Sequence, residues 1–99
     1  METVLNKIVI NDCYGGFDLS EDAIIWLKNN GLSDIQIDEI PRHHPLLVEC
    51  VETLGEKANG MFSNLVVKVI VGNIYRIDNY DGLETIIQPY EDNWIVIND

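Results

Sequence analysis

The chain has 99 residues, 46% of them hydrophobic, which predicts one globular domain over residues 1–99 with a core of modest size. Seventeen carboxylates face six lysines and arginines, for a formal net charge of −11. The six cations (Lys7, Lys28, Arg42, Lys57, Lys68 and Arg76) are scattered singly, which argues against direct binding to nucleic-acid phosphate or to an anionic membrane, since both need clustered positive charge.

The first predicted strand covers residues 7–11, where Ile8, Val9 and Ile10 run together as in a strand buried on both faces. A glycine pair, Gly15-Gly16, follows, and then Ser20 as a helix N-cap. The helix expected from Ser20 to Asn30 has Leu19 and Ile24 placed for a hydrophobic staple. It also has Glu21 and Asp22 in the dipole-favoured first turn. Ala23, Ile24, Trp26 and Leu27 fall on one face, Ile25 points elsewhere, and Asn30-Gly31 supplies the stop. Residues 34–38, Asp-Ile-Gln-Ile-Asp, alternate polar and apolar and predict a strand with one wet face.

Pro45 suits a first helical position, with His44 as the cap. The helix it opens carries an apolar stripe of Leu47, Cys50, Val51, Leu54 and Ala58, with Glu49, Glu52 and Glu56 opposite. Gly55 weakens it and Asn59-Gly60 ends it. Leu65 to Val71 alternates as a strand, and Gly72-Asn73 signals a hairpin pairing Val67 with Ile77 and Val69 with Tyr75. Asp81-Gly82 marks the next turn, residues 83–88 a third strand, and Trp94 to Ile97 a last edge strand. The order is β-α-β-α followed by a β-meander. It predicts a two-layer α+β domain with two helices packed on one mixed or antiparallel sheet.

The two cysteines, Cys13 and Cys50, are too few for a disulfide scaffold and lack metal-type spacing. With no leader-like start and no apolar run of spanning length, a soluble cytosolic protein with free thiols is expected.

The strings KIVIN-D-CYGGF-D-LS near the start, VETLGEKANG in the middle and YDGLE further on resemble a family of small proteins of tailed bacteriophages and prophages. The resemblance spans about residues 7–94. It implies a phage-encoded accessory protein working in the cytoplasm of an infected bacterium, and it carries no site residues over. The chain departs from the family near its end: relatives carry an arginine beside a final tryptophan, and here nothing basic follows Arg76.

Several constellations invite chemistry. The Gly15-Gly16 turn between a strand and a helix start could offer backbone N–H groups to an anion. Its spacing fits no phosphate-loop signature, however, and Asp12, Asp18, Glu21 and Asp22 crowd the same end. Those acids do not have the spacing of a calcium loop, so no metal is expected there. His43-His44 and Cys50 do not converge as zinc ligands on one loop and one helix face. Cys13 lies near a helix start but far in sequence from either histidine. Neither a catalytic set nor a cofactor motif can be assembled, so the expectation is a non-enzyme without cofactor.

The candidate binding residues are Tyr14, Gly15, Gly16 and Phe17 at the glycine turn, Tyr90 and Trp94 near the far end, and the acidic stripe Glu49, Glu52 and Glu56. They support two readings. One is a protein that binds and modulates a host bacterial protein, such as a defence component. The other is a binder that sequesters a small molecule or nucleotide signal, with Lys7, Arg42 or Arg76 offsetting the acids. Exposed strand edges and Ile25 also raise the expectation of a homodimer.

Overall fold

The structure is a computed structural model and describes residues 4–89. Its elements are strand β1 (Leu5–Asn11), helices α1 (Glu21–Asn29), α2 (Asp34–Asp38) and α3 (Pro45–Leu54), a 3-10 turn (Gly55–Ala58), and strands β2 (Leu65–Val71), β3 (Arg76–Tyr80) and β4 (Leu83–Ile87). This is an α+β fold, as the sequence predicts. No helix among the described residues is long and apolar enough to cross a membrane.

The centre is an antiparallel ribbon of β1 and β2, in register from Leu5 opposite Val71 to Asn11 opposite Leu65. Side chains of a strand alternate between its faces. Val9 and Leu65 therefore face the helices, joining Ala23 and Leu27 of α1 and Leu47, Cys50 and Val51 of α3 in the main core. Ile8, Ile10 and Ile70 face the other way and are covered by Tyr75, just before β3, and by Ile77 and Ile86 of the second ribbon, β3–β4. Covering both faces is what makes three consecutive apolar residues in β1 tolerable. Ile8, Val9 and Ile10 are all buried, as expected.

The helices begin as their caps dictate. The Ser20 hydroxyl accepts from Ala23 N at 3.1 Å and donates to the Lys57 carbonyl at 2.5 Å, so one side chain caps α1 and ties it to the 3-10 turn. His44 caps α3 through Nδ1, which accepts from Leu46 N at 3.1 Å, with Pro45 in the first turn.

Three expectations are corrected. Residues 34–38 form helix α2, not a strand. Ser33 Oγ accepts from Gln36 N and Gln36 Oε1 accepts from Ser33 N, a capping box that alternation over five residues cannot outweigh. Only Ile37 of the two isoleucines is buried, so there was no apolar face for a strand to cover.

The Gly72-Asn73 hairpin is also absent. β2 pairs with β1 and β3 with β4, so Val67 lies opposite Val9 and Val69 opposite Lys7. Gln88 Nε2 holds the crossing by donating to the carbonyls of Val71 (2.8 Å) and Ile74 (3.1 Å). The chain therefore makes two two-stranded ribbons with helices on one side of the central one, instead of two layers on a single sheet. Finally, α3 stops at Gly55 and continues only as the 3-10 turn, although Ala58 at its end is still buried. The strand expected over 94–97 lies outside the described residues.

Candidate protein-interaction surface

The end of β1 is organised by one buried amide. Asn11 is fully buried and its Nδ2 donates to the carbonyls of Cys13 (2.8 Å) and Gly82 (2.7 Å), while Oδ1 accepts from Asn64 N (2.7 Å). One side chain thus holds the glycine loop after β1, the approach to β2 and the β3–β4 turn. A buried amide with every group met fixes such a junction, because any displaced partner leaves a polar atom unsatisfied.

Beside it lies a buried ion pair. Glu84 on β4 is 4% exposed and takes both guanidinium nitrogens of Arg42, Nη1 at 2.5 Å and Nη2 at 2.9 Å. The same carboxylate accepts from Asn11 N at 2.7 Å. The Arg42 guanidinium also lies 3.6 Å from the centroid of the Phe17 ring, a cation–π stack that covers its flat face. Arg42 further receives Val9 N on its own carbonyl at 2.9 Å, so the outer edge of β1 is closed by Arg42 and Glu84 together.

Gly15 meets backbone from two other segments. A β-carbon at Gly15 would overlap the carbonyl oxygen of Phe62, and one at Gly82 would overlap Gly16 N and lie 2.8 Å from Gly15 C. The backbone of the Asp81-Gly82 turn therefore sits directly on the glycine pair. Asp81 and Gly82 both have positive φ (51° and 89°), as a two-residue hairpin turn requires. That turn takes up the Gly15 side of any anion cradle, and the Gly16 side is open. The cations are engaged elsewhere too: Arg42 by Glu84, Lys7 by Glu52 (2.7 Å), and Arg76 near Asp78 (3.7 Å).

What this joint presents outward is apolar. Tyr14 is 69% exposed, Met61 84%, Phe62 68% and Tyr80 72%. The Tyr14 and Tyr80 rings meet edge to face with centroids 6.5 Å apart, and the Phe62 backbone lies against Gly15. Tyr14, Phe62 and Tyr80 are thus brought together over backbone held by Asn11, with Met61 exposed next to Phe62 in the same turn. A cluster of exposed apolar residues on a rigid support is the usual signature of a protein contact site.

Of the residues the sequence singled out, Tyr14 belongs to this surface. Gly15 and Gly16 form its floor, and Phe17 is half-buried under Arg42. Glu49, Glu52 and Glu56 are exposed on α3 and the 3-10 turn. Glu49 and Glu52 line an open cleft with Leu5 and Lys7, at the opposite end of β1. Tyr90 and Trp94 lie outside the described residues. Met61 and Phe62 were missed, as were Asn11 and Glu84 of the clamp; Tyr80 was weighed only as one of four tyrosines, and Arg42 as a cation near a ligand instead of the partner of a buried carboxylate. The signal for the first two was available: Met61-Phe62 sits between Gly60 and Ser63, apolar residues in a turn with no periodic partner to bury them.

The remaining reactive groups stand apart. His43 Nδ1 is 2.6 Å from the Tyr75 hydroxyl, whose pKa burial raises, with Arg42 acting in the opposite sense. Burial pushes the Cys50 thiol up to about 11. Cys13 Sγ contacts the Phe62 carbonyl at 3.2 Å and Asn11 Oδ1 at 3.4 Å. Among the described residues, no three His, Cys, Asp or Glu side chains converge as metal ligands. Compared with protein-family models, with curated proteins and with solved structures, the chain finds no match.

Proposed function

We propose that this chain is a non-catalytic, phage-encoded accessory protein that binds and modulates a protein of the host bacterium, and that the surface of Tyr14, Met61, Phe62 and Tyr80 is the contact. The observation that carries the reading is the exposure of these four apolar side chains on a backbone clamped by Asn11 and by the Arg42–Glu84 pair. Leaving them in water is unfavourable for the isolated chain, and a partner that covers them recovers that free energy.

The phage origin is supported by where the resemblance falls. Asn11 of KIVIN, Gly15-Gly16 of CYGGF, and Tyr80, Gly82 and Glu84 of YDGLE all meet at this joint. Two of the three strings that resemble the phage family therefore meet at this surface, while VETLGEKANG runs through the end of α3 and Met61 and Phe62 lie in none of them. A place of action in the host cytoplasm and a target in host defence belong to the same proposal.

The test is a paired affinity capture from infected bacteria, using tagged wild-type chain and a Phe62→Ser/Tyr80→Ser variant. Both substituted side chains are mostly exposed, so the variant should keep the wild-type melting temperature. A host protein retained by the wild type and lost from the variant is the expected result. A host protein retained equally by both would remove this surface from the function.

A further inference from the structure

We infer that the partner of this surface is a cationic protein segment, one in which lysines and arginines frame an apolar or aromatic anchor. The inference rests on the protein-binding reading above and adds the chemistry of what binds.

The three loops that build the surface are residues 11–18, 60–64 and 78–83. They contain Asp12, Asp18, Asp78 and Asp81 and neither lysine nor arginine. All four carboxylates are exposed. Asp78 has Arg76 at 3.7 Å, whereas among the described residues Asp12, Asp18 and Asp81 have no ion pair. Each of these three lies on a loop that contributes a residue to the apolar centre. Asp12 precedes Tyr14 by two residues, Asp81 joins Tyr80 to Gly82, and the Asp18 carboxyl packs against Gly60 next to Met61. Beneath the surface Arg42 and Glu84 cancel; the cations beside these loops are Arg76, 3.7 Å from Asp78, and Lys68, which shares an open cleft with Asp12 between β2 and β4.

An apolar centre with a mainly acidic rim selects its partner by the rim. Rim charges steer encounter and reject like-charged surfaces, while the centre supplies the hold. A second copy of this chain would bring the same carboxylates face to face, and the net charge of −11 repels it further. Nucleic acid is repelled likewise. A segment carrying basic residues around an apolar anchor satisfies both parts of the surface.

The probe is a displayed random-peptide library selected against the immobilised full chain. Binders are located by amide shifts in NMR spectra of the protein. Enrichment of lysine and arginine together with apolar residues is expected, with shifts at Tyr14, Phe62 and Tyr80 that vanish in Phe62→Ser. The Asp12→Asn/Asp81→Asn variant should weaken a selected peptide about three- to tenfold at low salt and reduce its salt dependence. Tyr80→Ser serves as a second variant should Phe62→Ser unfold. Neutral or acidic binders on this surface would overturn the charge inference and leave the protein-binding reading standing. Cationic binders that shift only Glu49, Glu52 and Glu56 would overturn both, as would a library that enriches no binder.

Discussion

The backbone contact between Gly82 and the Gly15-Gly16 pair makes a measurable demand on stability. Gly82 has φ +89° and Gly72 has φ +86°, so alanine meets nearly the same backbone cost at both, about 1–2 kcal/mol. Their surroundings differ. A β-carbon at Gly72 has nothing within 4 Å, while at Gly82 it would overlap Gly16 N and lie 2.8 Å from both Gly15 C and Gly15 N. Every one of those atoms is backbone, so no side chain can rotate away, and overpacking of this kind adds about 1–3 kcal/mol. Gly72→Ala should therefore cost about 1–2 kcal/mol and Gly82→Ala about 2–5 kcal/mol. Urea unfolding followed by far-ultraviolet circular dichroism measures both, with an unchanged m-value confirming that the same surface unfolds. For a domain of this size the gap should appear as a melting temperature lower by roughly 4–8 °C per kcal/mol. Gly82→Ala should also weaken the tyrosine signal in the near ultraviolet, because the turn that carries Tyr80 to Tyr14 must shift. Equal destabilisation by the two variants would refute the claim that the β3–β4 turn is seated on the glycine pair.

Three further outcomes follow from the clamp and the cysteines. Arg42→Ala leaves the buried Glu84 carboxylate without its cation and should cost about 3–5 kcal/mol; adding Glu84→Gln should recover part of that, since the amide still accepts from Asn11 N. A loss below about 1 kcal/mol in urea would mean that the pair is solvated. The thiol of Cys50 has a folded-state pKa of about 11 against 9.0 for an unburied thiol. Above pH 9 the unfolded chain releases this proton and the folded chain keeps it. The stabilisation is therefore fully present below pH 9 and is lost as pH rises through 11, amounting to about 2–3 kcal/mol in all. Cys50→Ala should flatten that alkaline fall in urea midpoints. In native protein at mildly alkaline pH, an alkylating reagent should label half-buried Cys13 and spare Cys50; double labelling without unfolding would contradict the packing of α3.

The sequence by itself determined the elements whose signals are local. Ser20, Pro45 and the Asp81-Gly82 turn act on neighbours within a few residues, and all three lie where their chemistry places them. The run Ile8-Val9-Ile10 announced a strand covered on both faces. Residues 34–38 failed because five residues carry too little periodicity, and the overlooked Ser33–Gln36 capping box was the stronger local force.

Strand pairing was decided only by the tertiary structure. A hairpin at Gly72-Asn73 would lay β3 along the free edge of β2, but β3 pairs with β4 instead and its ribbon covers Ile8, Ile10 and Ile70, a burial that outweighs the shorter loop. The candidate surface was legible only in part for the same reason. Tyr14 and the glycine pair could be singled out from their own stretch. Met61, Phe62 and Tyr80 acquire meaning only when Asn11 draws loops tens of residues apart onto one joint. Arg42 and Glu84, forty-two positions apart, look like ordinary surface charges in the chain. Burial makes them a pair, because a carboxylate removed from water must find a cation close enough to replace its hydration.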